Sequence, residues 1–317
     1  MITVSINIFS FRFKRKVKKE VEMRILPISL LSILVTALPA AVLADPWKVS
    51  VDANITLTQN AYSDNWVGGE AGNLSWTFNS NSLAEKQLNS KINNKNTLTL
   101  SFGQTHYQDK ETKKWAKPDK STDLIDFETV FRFTLGGFVD PFVAGRVETQ
   151  FYDVSDPQKS RILNPVTFTE SFGIARVWIK QEKREWTTRL GMGLRQHLDR
   201  QALVDALAGK RGNKTSNDGG LLLVDDFKTP LAHEKITYTS KLTVFQALFY
   251  SESKKLKGLP NQDYWKSTDV NWENIFSASI TKYLMVNLYV QFLYDKEVRL
   301  GGRLKQTLSL GLTYKLI

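Results

Sequence analysis

An all-β chain is predicted, and three features predict it. Apolar and polar residues alternate over long stretches, no helical pattern of useful length appears, and the last segment is the cleanest alternation of all. In that segment Leu308, Leu310, Leu312, Tyr314 and Leu316 interleave with Thr307, Ser309, Gly311, Thr313 and Lys315. A period of two puts these sets on opposite faces of a strand. Soluble strands run about five or six residues, whereas a tilted strand needs about 9–11 to cross a bilayer. Strands of the longer kind, apolar on one face and small or polar on the other, predict a transmembrane antiparallel β-barrel with lipid outside and a polar lumen.

The leader is read before the strands. Met23 to Ala44 has a basic start, an apolar core and small residues before a cleavage between Ala44 and Asp45, which is the pattern of a signal peptide. The rival is a membrane-spanning helix over Ile25 to Leu43. Pro27, Pro39, the small residues at its end and the absence of a following basic stop favour cleavage. Residues 1–22 carry a basic run, Phe11 to Lys19, ahead of this second start, and are read as a mis-assigned or extended N-terminus. The expected organisation is therefore 1–22, a signal peptide over 23–44, and a barrel over 45–317.

Composition excludes several classes. The formal net charge is +11, but residues 1–44 hold seven Lys/Arg and two Asp/Glu, and the remaining charges are spread along the chain. Nucleic-acid binding is not expected from that distribution. The chain has no cysteine, so disulfides and thiolate metal sites are excluded.

The strands follow in order. Trp47 to Thr58 sets Trp47, Val49, Val51, Ala53, Ile55 and Leu57 against a polar face. Asn73 to Ser80 gathers Leu74, Trp76 and Phe78, and Thr97 to Tyr107 gathers Leu98, Leu100 and Phe102. The fourth opposes Ile125, Phe127, Phe131 and Phe133 to Asp126, Glu128 and Arg132. The fifth, after Pro141, opposes Val143, Val147 and Phe151 to Arg146, Glu148 and Gln150. The sixth, Thr167 to Lys180, is mixed, because Phe172, Ile174 and Trp178 share a parity with Glu170, Arg176 and Lys180. The seventh sets Trp186, Leu190, Met192 and Leu194 against Arg189 and Arg195. A polar gap, Leu198 to Gly220, precedes a short eighth candidate at Leu221 to Lys228. Ile236 to Phe249, Trp272 to Thr281, Leu284 to Tyr294 and the terminal strand complete a count of about twelve, within a range of about 10–14 that leaves the barrel even-numbered. Connections after odd strands are long and those after even strands tight, except Ala84 to Asn96, which reads as a longer link. Trp47, Trp186, Tyr283, Tyr294 and Tyr314 fall near strand ends, the depth at which aromatic rings meet lipid headgroups.

The first hairpin, Thr58 to Trp76, combines an Asn/Gln-rich strand end, Ser-x-x-Trp, a Gly-rich turn and a strand opening Leu-Ser. Through Ser63, Trp66, Gly68, Gly69 and Ser75 it resembles a family of uncharacterised bacterial outer-membrane β-barrel proteins of Bacteroidetes/Chlorobi type. The resemblance covers about thirty residues specifically. It implies an outer-membrane barrel and no particular activity.

Chemistry is sparse. A lumenal charge cluster is expected from Asp126, Glu128, Arg132, Arg146, Glu148, Glu170, Arg176, Arg189 and Arg195, because buried charges on neighbouring strands need partners. It is either a salt-bridge network that fills the barrel or a charged constriction that selects a solute. His106, His197 and His233 form no His-x-x-x-His pair, and no Gly-x-Ser-x-Gly elbow occurs. Gly209-Lys210 lacks the rest of a phosphate loop. No metal, cofactor or catalytic residue is predicted, and the chain is not read as an enzyme. The expectation is a porin-like Gram-negative outer-membrane protein, a narrow channel or transport barrel. The alternatives are a closed structural or surface-interaction barrel and, after it, a lipid-modifying enzyme. Outer-membrane lipid, lipopolysaccharide and the machinery that inserts barrels by their C-terminal strand are the expected partners.

Overall fold

Every long strand pairs antiparallel with its neighbours, and the last pairs with the first, so the ladder has no free edge. The computed structural model describes residues 46–61, 71–156, 158–205, 209–281 and 284–315. Ala44, Asp45, Ser63, Trp66, Gly68, Gly69 and Tyr283 lie outside the described residues, as do the expected signal peptide and the segment before it. The barrel strands are β1 (Lys48–Asn60), β2 (Asn73–Asn89), β3 (Ile92–Tyr107), β4 (Asp119–Phe133) and β5 (Asp140–Thr149). They continue with β8 (Val166–Lys180), β9 (Glu185–Asp205), β10 (Lys210–Leu231), β11 (Ile236–Tyr250), β12 (Thr268–Ser279), β13 (Leu284–Tyr294) and β14 (Arg303–Lys315). They close in the order β1-β14-β13-β12-β11-β10-β9-β8-β5-β4-β3-β2, a twelve-stranded barrel. The β5–β8 connection carries a two-stranded sheet of its own, β6 (Tyr152–Asp153) with β7 (Arg161–Ile162). The β11–β12 connection carries a short α-helix, α1 (Ser253–Leu256), and a 3-10 turn at Tyr264–Lys266.

Two expectations are corrected. The link at Ala84 to Asn96 is a tight turn, because β2 runs on to Asn89 and β3 begins at Ile92. The polar gap at Leu198 to Gly220 is ladder: β9 has 21 residues and β10 has 22, paired from Lys228↔Glu185 to Lys210↔Asp205. The supposed short eighth strand is the longest in the barrel. These extensions lack an apolar face, so they show no alternation although their backbone bonds continue.

Burial is inverted relative to a soluble domain. Leu304 is 72% exposed, Leu308 70%, Leu57 66% and Phe172 62%, whereas Arg189 is 5% exposed and Asp218 2%. Exposed apolar side chains cover the outside, and ions occupy the inside. On β8 and β9 the inward face narrows at Gly173 and Gly191: a Cβ on Gly191 would lie 2.0 Å from the carbonyl oxygen of Phe172, so only glycine allows this approach.

The outer face also carries an aromatic row across five adjacent strands near the tight-turn end. Trp178 and Trp186 have centroids 5.7 Å apart, Trp186 and Phe227 6.0 Å, Phe227 and Tyr238 6.0 Å, and Tyr238 and Phe276 4.7 Å. The Trp186 indole donates to Asp225, and the Tyr238 hydroxyl donates to Asn274 at 2.7 Å, so the polar atoms of the row are satisfied locally.

Candidate functional site: the charged lumen

Alternation sends Asp126 and Glu128 of β4, Arg146 and Glu148 of β5, and Arg189 and Arg195 of β9 into the interior. A charge there must find an opposite charge, because the lumen wall offers little solvation. Glu128 does so across the barrel. Arg189 Nη1 donates to Glu128 Oε1 at 2.8 Å and Nη2 to Oε2 at 3.2 Å, a bidentate pair, while Lys241 Nζ of β11 donates to Oε2 at 3.2 Å. β4 and β11 stand five places apart in the ring of twelve, close to opposite walls. Arg189 also reaches Asp226 of β10 at 3.4 Å. Arg146 grips Asp126 through Nε and Nη2 at 2.7 and 3.0 Å and pairs with Glu148 at 2.7 Å.

A second crossing lies nearer the tight turns. Lys180 Nζ of β8 meets Glu85 Oε1 of β2 at 2.7 Å, Asn93 donates to the same oxygen at 3.1 Å, and Lys95 of β3 lies 3.9 Å from Glu185 of β9. Lys180 reaches the interior because β8 slips register between Val177 and Ile179. The bulge leaves Trp178 outside and turns the next residues over.

Toward the long connections, Arg195 binds Asp218 through Nε at 2.9 Å and again through Nη2, pairs with Asp269 at 2.9 Å, and lies over the Phe245 ring at 3.8 Å. Thr167 Oγ1 is 3.1 Å from His197 Nδ1, and His197 Nε2 is 3.7 Å from Asp218. Above the Glu128 layer a cavity of about 260 Å³ opens, lined by Arg146, Arg195, His197, Lys241, Asp269 and Arg303 together with apolar side chains such as Leu222 and Phe245. It forms a cup whose floor is Glu128 and Lys241.

Six of the nine expected cluster residues meet in this interior: Asp126, Glu128, Arg146, Glu148, Arg189 and Arg195. Arg132 also points inward, but it pairs with Asp140 at 2.7 Å beside the β4–β5 turn and joins neither crossing. Glu170 and Arg176 are not lumenal. They keep the outward parity of Phe172 and Ile174; Glu170 accepts from Gln196 at 3.3 Å, and Arg176 stacks on Phe138 at 4.3 Å and donates to its carbonyl. Their charges are met by surface partners, which parity alone indicates. Asp218, Asp226, Lys241, Asp269, Glu85 and Lys180 were missed. Lys241 was legible as the inward neighbour of Leu242, whereas the position of Lys180 depends on a bulge.

These features define a closed β-barrel with an ionic interior. A family model described as a protein of unknown function (DUF3078) matches residues 57–153, less than half of the chain. A search of curated proteins found no match. Among solved structures, the chain is similar to an outer membrane channel from Pseudomonas putida F1, at 13% identity over 87% of this chain and 98% of that one, with a TM-score of 0.39. It is also similar to the translocator domain of the autotransporter NalP from Neisseria meningitidis, at 8% identity over 84% and 86%, with a TM-score of 0.36. Similarity at this level assigns no role to the chain.

Proposed function

We propose that this protein is a Gram-negative outer-membrane β-barrel whose interior is closed by its ion pairs, so that it acts at the cell surface as a closed barrel and not as an open pore. The inverted burial supports the membrane location, since an apolar outside of this extent is stable only against lipid. The aromatic row supports it too, at the depth expected of a headgroup belt. The observation that carries the closure is Glu128 bound at once by Arg189 and Lys241 from distant strands. Outer-membrane lipid and lipopolysaccharide are the partners of the outside, the latter facing the exposed Lys254, Lys255 and Lys257, and the insertion machinery reads β14.

The channel reading retains one observation in its favour, the cup above the layer. A gated path would require that layer to part. The reading gives the barrel no catalytic role, because the Thr167–His197 pair faces the lumen, away from the acyl chains that a lipid-modifying enzyme must reach. Purified barrel in planar bilayers tests both points. Wild type is expected to show no steady conductance and to release no fatty acid from the bilayer, whereas folded Arg189→Gln/Lys241→Gln barrels are expected to conduct. Steady conductance of the wild type would overturn the closed reading.

A further inference from the structure

We propose that the lumenal cup binds a small zwitterionic solute, its carboxylate held by Arg303 and its ammonium group by Asp295. The inference does not depend on whether the layer beneath conducts. It begins from an inventory of charge. Acids and bases are balanced in the cup lining. Glu148 and Asp126 hold Arg146, Asp269 and Asp218 hold Arg195, and Arg189 and Lys241 hold Glu128, so each of these lining charges is engaged. Among the described residues, two lining charges have no ion-pair partner, one of each sign: Arg303 at the start of β14 and Asp295 just past the end of β13.

Among the described residues, the Arg303 guanidinium has no hydrogen-bond or ion-pair partner, and its Nε is shut off from solvent. Arg161 and Arg176 also have an enclosed, unbonded Nε, but their other nitrogens are engaged: Arg161 by Asp153 and Asp199, Arg176 by the Phe138 carbonyl. Arg303 therefore stands apart. A guanidinium fork left open in a cavity matches a carboxylate in shape and charge.

Asp295 Oδ1 accepts the backbone N–H groups of Glu297 at 2.9 Å and Val298 at 3.2 Å, leaving Oδ2 without a partner among the described residues. Arg303 and Asp295 line the same cavity without meeting each other at ion-pair distance. Beside the mouth, burial, then Asp295, Asp269 and Asp218, push the Glu297 carboxyl upward, and Arg195 opposes them. A solute bearing both signs satisfies both leftover groups. The volume of about 260 Å³ is just under the roughly 300 Å³ at which pockets for drug-sized ligands begin, and it suits a molecule of amino-acid size.

The test is calorimetric titration of the detergent-solubilised full barrel with L-glutamine, succinate, putrescine and glucose. Glutamine is expected to bind more tightly than the other three. Arg303→Gln and Asp295→Asn are each expected to weaken it at least tenfold, and Arg303→Lys to weaken it less than Arg303→Gln. The Asn variant retains the oxygen that caps Glu297 and Val298, and heat-modifiable gel mobility verifies folding of every variant. Absence of glutamine binding, equal binding of succinate, or affinity unchanged in both charge-removing variants would overturn the proposal. Steady conductance of the wild type, which overturns the closed reading, would leave this proposal standing, so the two fail separately.

Discussion

Removing the charge of Glu128 leaves Lys241 without an ion partner and Arg189 with Asp226 alone. Breaking a buried pair by deleting one partner costs about 3–5 kcal/mol, because the remaining charge stays desolvated. Glu128→Gln is therefore expected to destabilise the barrel by about that amount. Glu170→Gln, on the outer face against Gln196, is expected to change stability by about 0.5 kcal/mol or less. Urea unfolding in micelles measures both. Equal effects would mean that the interior pair is solvated and the layer does not seal. The contrast also separates the two kinds of charge that the sequence grouped together. Glu128 and Glu170 have similar sequence neighbours, and only the parity of each strand tells them apart.

At the scale of elements, the alternation made the strands legible wherever lipid supplies a reason for an apolar face. It located all twelve barrel strands and their lumenal charges on β4, β5 and β9. It failed where strands continue without an apolar face. Arg211 to Asn217 pairs with β9 through its backbone, yet the segment is polar on both faces and shows no alternation. It failed also at the β8 bulge, whose register slip has no compositional mark. The long connection after β5 belongs to the same overhanging region. Its β6–β7 sheet is tied to β9 and β10 by Arg161 with Asp199 at 2.7 Å, Asn164 with Asp199 at 2.7 Å, and Arg211 with Asp156. The Arg211 side chain, helped by the Gln158 backbone N–H, lowers the Asp156 carboxyl to about 2. A depressed carboxyl contributes its full stabilisation above its ordinary value near 3.9. That contribution fades as pH falls through about 2. Backbone amides of residues 150–165 are therefore expected to lose exchange protection between about pH 4 and pH 2 before the barrel strands do. Simultaneous loss in both would show that this tie does not act locally.

For the whole molecule, the two ends of the barrel differ. Tight turns gather at one end; the other holds the connection with β6 and β7, the α1 connection and the mouth of the cup. An outer-membrane barrel places its longer loops outside the cell. Trypsin added to intact cells is then expected to cut near Lys254 and Lys255, exposed on α1, and Lys257, just past its end, and to spare Arg184 in the β8–β9 turn until the cells are opened. Cleavage at Arg184 in intact cells would invert the orientation. The seam has a consequence in time as well as in space. Among the described residues β1 meets β14 through five residue pairs, Asp52↔Lys315 to Thr56↔Gly311, and meets β2 through thirteen. The first strand made must therefore wait, with one edge bare, until the last has been delivered. An unpaired edge is a template for aggregation. The interval before closure is thus the vulnerable period in the life of this chain.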